Sequence, residues 1–140
     1  MMKIALDVLG GDLAPMANIE GAMAYLNEYG ESAAGLILVG DEKVIKSALQ
    51  SYTYINSKIS ILHTTEIVDM HEKPSRIYKE KPNSSLVKSI QLVKNGEANA
   101  AVSAGNTGAL LASSLFLIGK IPGIRRPAFA PFIPSAKGGF

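Results

Sequence analysis

Residues 102–111 constrain the fold of this chain more than any other segment, because they join a strand-like run to a helical run through small residues. The loop has two glycines and three small polar residues between the apolar run 98–102 and the Ala/Leu-rich run that starts at Gly108. Small residues at such a junction let backbone N–H groups approach an anion at a helix N-terminus. The pattern predicts either an anion site or a helix N-cap with close helix–sheet packing.

A second junction of the same kind lies near the N-terminus. The apolar run 3–8 predicts a strand, Gly10 and Gly11 close it, and the spacing of apolar residues over 16–29 predicts a helix. Asp12 lies in the same loop, where it either orients a ligand or only caps the helix. Two such junctions in one chain favour a fold in which strands and helices alternate.

The remaining elements continue this alternation. Short apolar runs predict strands at residues 35–39, 58–63, 98–102 and 128–133. Helical runs are predicted at residues 42–51, 73–81, 84–95 and 108–117. Asp41 and either Asn83 or Ser84 are the predicted N-caps, Pro82 separates two helices, and Pro131 makes the last strand an edge or bulged strand. We therefore expect an α/β fold, with an open, mostly parallel sheet and helices on both faces.

Polar loops directly follow four of the predicted strands. They begin at Gly10, Gly40, His63 and Ser103. The carboxyl ends of parallel strands meet at one edge of a sheet, and open α/β sheets bind their ligands there. The sequence therefore predicts one candidate site to which all four loops contribute.

Composition narrows the class of protein. Hydrophobic residues make up 47% of the chain and charged residues 19%, which is typical of a globular protein. Fourteen Lys and Arg against twelve Asp and Glu leave a charge of +2, too small to indicate nucleic acid as the main partner. The absence of cysteine excludes disulfides, thiolate zinc sites and cysteine nucleophiles, and it agrees with a reducing cytoplasm.

No apolar run reaches the length of a membrane span. The most apolar helical run, 108–118, is only about two to three turns long and is predicted to be a buried core helix. Residues 1–3 lead directly into the first predicted strand, without the apolar stretch of a signal peptide.

Lys81, Ser84 and Ser85 form a second candidate anion pocket, because a cation and two hydroxyls lie at a predicted helix start. The alternative is a solvated lysine beside a capping serine. Arg76 either shares this pocket or forms a surface salt bridge. His63 is either a general base or, as the simpler interpretation, a packed and hydrogen-bonded histidine at the end of a strand.

Several common catalytic and cofactor motifs are absent. Ser103 and Ser113 lie in no Gly-x-Ser-x-Gly elbow, so a serine-hydrolase triad is not supported. The chain has no P-loop signature, and no Gly-x-Gly-x-x-Gly follows the first strand. His63 and His71, without any cysteine, predict no zinc site.

Six segments together carry a family resemblance. They are the opening Lys-Ile-Ala-Leu-Asp-Val-Leu-Gly-Gly-Asp-Leu-Ala-Pro, Val39-Gly40-Asp41, residues 61–66, Lys81 with Ser84 and Ser85, Ser-Ala-Gly-Asn-Thr-Gly-Ala-Leu, and Gly123-Ile124-Arg125-Arg126-Pro127-Ala128. In their order and spacing, the chain resembles the bacterial phosphate:acyl-acyl-carrier-protein acyltransferases of phospholipid synthesis from Met2 onward. It departs from them at Val8-Leu9, where they usually have Ala-Met, at Pro82, which interrupts a usually more basic stretch, and in its shorter length.

The resemblance implies an isocitrate/isopropylmalate dehydrogenase-like or phosphotransacetylase-like fold and transfer of a fatty acyl group from acyl carrier protein to inorganic phosphate. It implies no metal or organic cofactor, since the thioester is already activated. It also implies a cytoplasmic homodimer, with peripheral membrane association through sequence outside this chain. Arg125 and Arg126 either steer the acidic carrier protein or are simply solvated. The alternatives are a non-catalytic phosphate- or carrier-binding module and a related acyl-phosphate-forming enzyme.

The resemblance and the loop chemistry together suggest roles for individual residues. Asn106, Thr107 and Lys81 are the predicted catalytic residues, with Asn106 or Thr107 as the donor to the oxyanion. The predicted phosphate-binding residues are Gly10, Gly11, Asp12, Ser84, Ser85, Ser103, Ala104, Gly105 and Gly108.

We expect residues 1–140 to form one α/β unit, the N-terminal part of a longer, two-lobed enzyme. Gly138 and Gly139 predict a hairpin turn, and Phe140 the first residue of a returning strand. Such a unit would leave the strand that contains Pro131 as an unprotected edge. On its own it is therefore expected to self-associate and to have little activity.

Overall fold

A four-stranded parallel sheet forms the centre of the computed structural model, which describes residues 2–130, 134–135 and 138–139. The strands of this sheet are β1 (Lys3–Asp7), β2 (Gly35–Gly40), β3 (Ile59–His63) and β4 (Ala100–Ser103). Their order is β3-β2-β1-β4, and every neighbouring pair is parallel. The predicted α/β fold with an open parallel sheet is confirmed.

Helices follow the strands, and three of them begin at a capping side chain. The helices of the described residues are α1 (Met16–Tyr29), α2 (Glu42–Leu49), α3 (Ile77–Glu80), α4 (Ser85–Lys94) and α5 (Thr107–Leu117). Side-chain oxygens of Asp41, Ser84 and Asn106 accept backbone N–H groups at the starts of α2, α4 and α5. The caps Asp41 and Ser84 are as predicted. No side chain caps α1, so Asp12 does not have the capping role considered for it.

Most element boundaries differ from the predicted ones by one or two residues, but α3 begins at Ile77, four residues after the predicted start at residue 73. A 3-10 turn, Pro74–Arg76, precedes it. Strand β4 begins at Ala100, two residues after the predicted start. The N–H of Ala98 donates to the carbonyl of Leu92 in α4, so Ala98 still belongs to the turn that leaves that helix. The N–H of Asn99 already donates to the carbonyl of Lys3 in β1.

The helices cover both faces of the sheet. All six residues of β2 are buried. Leu36 and Leu38 belong to the core beneath α1 and α2, whereas Ile37 and Val39 pack with Leu92 of α4 on the opposite face. A strand that is apolar on both sides is typical of a doubly covered parallel sheet. The predicted helices on both faces are therefore confirmed.

A separate core cluster supports the start of α5. Ile77 of α3, Ile90 of α4, Ala109 of α5 and Val68 from the segment after β3 pack together. Because Ala109 is in the first turn of α5, this cluster holds the N-terminus of that helix against α3 and α4. Among the described residues, no helix combines the length and apolar character that crossing a bilayer requires.

The predictions for the C-terminal segment differ from the structure where it describes that segment. Residues 128–130 form no strand, because they pair with none of the strands in the part of the chain that the structure describes. Residues 131–133 and Phe140 lie outside the described residues. Gly138 and Gly139 do not form the predicted turn. They form β6 (Gly138–Gly139), which pairs antiparallel with β5 (Pro134–Ser135).

Candidate functional site at the carboxyl edge of the sheet

The loops that follow β1 and β4 lie against each other. The strand register pairs Asp7 with Ser103, so the two strands end side by side. A Cβ atom built on Gly11 would lie 3.2 Å from the Cβ of Ala104. Gly11 also has a φ of +109°, a conformation that favours glycine. The structure thus brings together the predicted residues of both loops at one edge.

Asp7 joins the two loops through hydrogen bonds. Its side chain is buried, with an exposed fraction of 1%. Oδ1 accepts the N–H groups of Leu9 at 3.2 Å and Gly10 at 3.1 Å, and Oδ2 accepts the hydroxyl of Ser103 at 2.7 Å. Ser103 Oγ in turn accepts the N–H of Gly105 at 3.0 Å. The sequence prediction missed Asp7, although a single acidic residue that closes an apolar strand was the available signal.

Gly10 and Gly105 permit this close contact between the loops. A Cβ atom on Gly10 would lie 2.4 Å from Asp7 Oδ2 and 3.0 Å from both Gly105 N and Ser103 Oγ. A Cβ atom on Gly105 would lie 3.2 Å from the Cα of Gly10. Glycine is needed here so that one loop can approach the other. Contact of the same residues with an anion stays a prediction.

Asn106 both caps α5 and holds the segment that follows β3. Its Oδ1 accepts the N–H of Ala109 at 3.0 Å. Its Nδ2 donates to the carbonyls of Asp69 at 3.2 Å, Met70 at 3.1 Å and Glu72 at 3.1 Å. An amide nitrogen has only two hydrogens, so three carbonyls use its full donor capacity. The buried side chain of Asn106 is therefore engaged on both sides.

The N-terminus of α5 keeps free donors. The first N–H groups of a helix have no acceptor within that helix. Among the described residues, no acceptor contacts the N–H groups of Thr107 and Gly108. Thr107 is exposed, and a Cβ on Gly108 would lie 3.0 Å from two side-chain carbons of Pro74. The positive end of the helix dipole therefore carries two unsatisfied donors beside an exposed hydroxyl.

Lys81 is bound to the same segment that Asn106 holds. Its ammonium group donates to the carbonyl of Ile67 at 2.8 Å and to the carboxylate of Glu72. This hydrogen bond to Lys81, together with the N–H of Asp69, holds the pKa of Glu72 below its ordinary value of 4.5. Arg76 is exposed and takes part in neither ion pair of the described residues, so the salt bridge considered for it is not present.

Replacing Glu72 by glutamine is expected to destabilise the protein slightly at neutral pH and not at all in acid. A lowered pKa in the folded state stabilises the fold above pH 4.5, and that contribution is lost as the pH falls through the folded value. The pair is partly exposed, so its contribution is below about 1 kcal/mol. Urea unfolding of both proteins from pH 7 to pH 3 measures the difference. A difference that stays constant or grows as the pH falls would contradict this assignment.

Ser84 and Ser85 lie at the start of α4 but are buried. Ser84 is 0% exposed and Ser85 is 2% exposed. The hydroxyl of Ser84 donates to the carbonyl of Lys81 at 2.8 Å and accepts the N–H of Val87. The contacts of Ser84 therefore agree with the capping interpretation. Phosphate binding by Ser84 and Ser85 stays a prediction.

The histidines take no part in the loop contacts around α5. His63 is exposed, and its Nδ1 accepts the N–H of Glu42 at the start of α2, 3.1 Å away. It is hydrogen-bonded, as the simpler interpretation held, but it is not packed. His71 is exposed. Within the part of the chain that the structure describes, no cluster of histidine and acidic side chains is placed to hold a metal ion.

A cavity of about 270 Å³ lies between the loop after β1 and the segment after β3. It is lined by Leu9, Gly11, Asp12 and residues 67–71. Asn106 holds the carbonyls of residues 69, 70 and 72, so the cavity adjoins the N-cap of α5. A larger cleft of about 430 Å³ lies along α2 and β3 and contains none of the predicted site residues.

Comparisons with known proteins show which family the chain belongs to. Residues 2–140 match the family model described as "Fatty acid synthesis protein". A protein named "Phosphate acyltransferase" from Dictyoglomus turgidum is 48% identical over 134 residues, which cover 96% of this chain and 39% of that protein. Proteins of the same name from Clostridioides difficile and Desulforamulus reducens are 44% and 48% identical over 138 residues, 99% of this chain and 40% of each.

The chain belongs to the fatty acid synthesis protein family. The resemblance that the loop sequences indicated is thereby confirmed, since the matched residues include every one of the six segments. As a member of this family, the chain spans about 40% of the length of the curated relatives it matches.

Proposed function

We propose that this chain forms the phosphate-binding part of an acyltransferase that moves a fatty acyl group from acyl carrier protein to inorganic phosphate. The observation that carries the proposal is the N-terminus of α5, where Thr107 and Gly108 keep unsatisfied N–H donors. A helix N-terminus with free donors is suited to binding an anion. The relatives are named phosphate acyltransferases, and this name suggests the class of reaction.

The proposed reaction needs phosphate to be held and oriented. Phosphate is a poor nucleophile toward a thioester until it is positioned in line and stripped of water. One phosphate oxygen then forms a bond to the carbonyl carbon. The C–S bond breaks, the acyl phosphate is formed, and the carrier thiolate takes up a proton as free thiol. The N–H groups at α5 would hold the phosphate through this sequence.

Within this proposal, Thr107 is a better donor to the oxyanion than Asn106. Its hydroxyl is exposed at the start of α5, whereas the amide hydrogens of Asn106 are engaged by three carbonyls. Asn106 then acts by placing the helix start, and Ser84 and Ser85 act by placing the start of α4. Lys81 contacts phosphate only if it releases Glu72, to which it is now bound.

The surroundings of the site also suit a fatty acyl donor. Large apolar side chains are exposed beside the polar loops, with Leu13 77%, Ile67 50% and Met70 42% exposed. Burial of these side chains against acyl methylenes would be favourable by the hydrophobic effect. This apolar rim supports a lipid-derived donor over a small polar one.

Replacing Thr107 by proline tests the helix N-terminus with little disturbance of the fold. Proline lacks the N–H but is tolerated at the first position of a helix, and Asn106, with a φ of −59° and a ψ of +106°, is outside the α region that a following proline disfavours. A charge-assisted hydrogen bond is worth about 1.5–3 kcal/mol, so we expect phosphate affinity to fall roughly tenfold to a hundredfold. Thr107→Ala, which keeps the N–H, serves as the control. Calorimetric titration of phosphate that gave equal affinities for both variants would remove this site.

The reaction itself is tested with the full-length protein. Acyl phosphate formation is measured with phosphate and acyl carrier protein loaded with a fatty acyl group, and in parallel with acyl-coenzyme A. Turnover with the carrier-protein donor supports the proposal. Phosphate binding without turnover would instead indicate a non-catalytic binding module, and turnover with acyl-coenzyme A alone would indicate a related acyl-phosphate-forming enzyme.

A further inference from the structure

Asp7 is an unusual residue for the end of a central strand. It is 1% exposed, and neither ion pair of the described residues includes it. A buried carboxylate without a cation is costly unless donors surround it. Three donors do so here, from Leu9, Gly10 and Ser103. Among the described residues, the donors that contact the carboxylate therefore all come from the two loops of the candidate site.

The chemistry of a carboxylate fixes the direction of these hydrogen bonds. An ionised carboxylate only accepts, so the hydroxyl hydrogen of Ser103 must be directed to Asp7. The oxygen of that hydroxyl is then available as acceptor for the N–H of Gly105. A neutral amide at position 7 could donate to Ser103 and would release its hydroxyl to turn elsewhere.

This direction decides which backbone donors remain for a ligand. The N–H groups of Gly10 and Gly105 are consumed inside the network, although both glycines lie in the predicted phosphate-binding loops. The N–H groups of Thr107 and Gly108 remain. The two loops are in van der Waals contact, so the network also fixes the position at which α5 begins after β4.

We infer that Asp7 is a positioning residue for phosphate, acting through the Ser103 hydroxyl on the loop that leads into α5. The inference rests on the proposed function, because it assumes that the N-terminus of α5 binds phosphate. Asp7 does not contact the anion. It holds the loop 103–106 in the one arrangement that presents the N–H groups of Thr107 and Gly108.

The test uses Asp7→Asn, Ser103→Ala and the double variant in the full-length protein. Asn at position 7 keeps an oxygen for the N–H groups of Leu9 and Gly10 and loses only the acceptor for Ser103. We expect each single variant to weaken phosphate binding about tenfold and the double variant to be no weaker than the singles, because the charge-assisted hydrogen bond from the Ser103 hydroxyl to Asp7 is lost in all three. Calorimetric titration gives the affinity, and steady-state kinetics gives the separate KM values for phosphate and acyl donor.

Tyr25→Phe is the matched control. The Tyr25 hydroxyl accepts the N–H of Ala34 at 2.8 Å at the opposite end of the sheet, so this variant loses a hydrogen bond of similar length without touching the loops. It should lower stability and leave the phosphate KM unchanged. In Asp7→Asn and Ser103→Ala, the phosphate KM should rise while the acyl-donor KM stays within about twofold of wild type.

The outcomes separate this inference from the proposed function. A wild-type protein that binds no phosphate would overturn the proposed function. If the wild type binds phosphate and Asp7→Asn binds it equally well, only the positioning role of Asp7 is overturned. Losses of phosphate affinity that add up in the double variant would overturn it too. If Asp7→Asn does not fold, Ser103→Ala decides the question, since Ser103 is only half-buried. An unchanged phosphate affinity in that variant is then the contradicting result.

Discussion

A single methyl group at position 10 is expected to lower the free energy of unfolding by about 3 kcal/mol, the upper part of the range for overpacking. The Cβ of Gly10→Ala would lie 2.4 Å from Asp7 Oδ2 and 3.0 Å from the backbone nitrogen of Gly105. Neither atom is the free end of a flexible side chain. The carboxylate is buried and bound by three donors, and the nitrogen belongs to the adjoining loop.

Gly21→Ala is the control for this prediction. Gly21 lies within α1, is exposed, and a Cβ built on it would meet nothing within 4 Å. Alanine is favoured over glycine in a helix interior by about 1 kcal/mol, so this variant should be more stable than wild type. Urea unfolding of the two variants should therefore give changes of opposite sign. If the free energy of unfolding of Gly10→Ala were within about 0.5 kcal/mol of the wild-type value, the loops would move apart easily and their close contact would contribute little to stability.

Asn106→Asp is expected to destabilise the protein by about 2–3 kcal/mol, although aspartate is as good a helix cap as asparagine. Aspartate keeps the oxygen that accepts the N–H of Ala109. Its second oxygen, however, replaces the Nδ2 that donates to the carbonyls of Asp69, Met70 and Glu72. Three carbonyls would lose their donor and face a carboxylate in a buried position.

Asp41→Asn is the control for this prediction. It is the reverse substitution, at a helix N-cap whose side chain accepts only the N–H groups of its own helix. Asp41 accepts the N–H groups of Lys43 and Val44 at the start of α2, and asparagine can do the same. Its effect should be within about 0.5 kcal/mol. Thermal unfolding of the two variants measures the contrast. Equal small effects at both positions would mean that the three carbonyls contribute little, and that the segment after β3 is held mainly by Lys81 and the apolar cluster.

Much of the fold could be predicted because local sequence determines it. The apolar runs that became β1 to β4 alternate with amphipathic runs, and Asp41 and Ser84 have the short polar side chains that accept helix N–H groups. Parallel order followed from the alternation itself. The prediction that the loops after the strands meet at one edge was right for the same reason.

The C-terminal segment shows where this local reasoning failed. Residues 128–130 have strand-like composition but form no strand, because a strand exists only with a partner for its backbone groups. Gly138 and Gly139 have turn-like composition but lie in a strand ladder, because they pair with β5. Partners of this kind are set by the rest of the fold and leave no signal in the residues themselves.

The sequence by itself determined the order of the elements, the edge of the sheet at which the polar loops meet and the family to which the chain belongs. Only the tertiary structure decided the roles of individual polar groups within that edge. Asp7 joins Ser103 across 96 positions of sequence, and Asn106 reaches carbonyls 34 to 37 positions away. The physical reason is that secondary structure depends on neighbours along the chain, whereas the occupancy of a hydrogen-bond donor depends on which acceptor the fold brings within 3 Å or so of it.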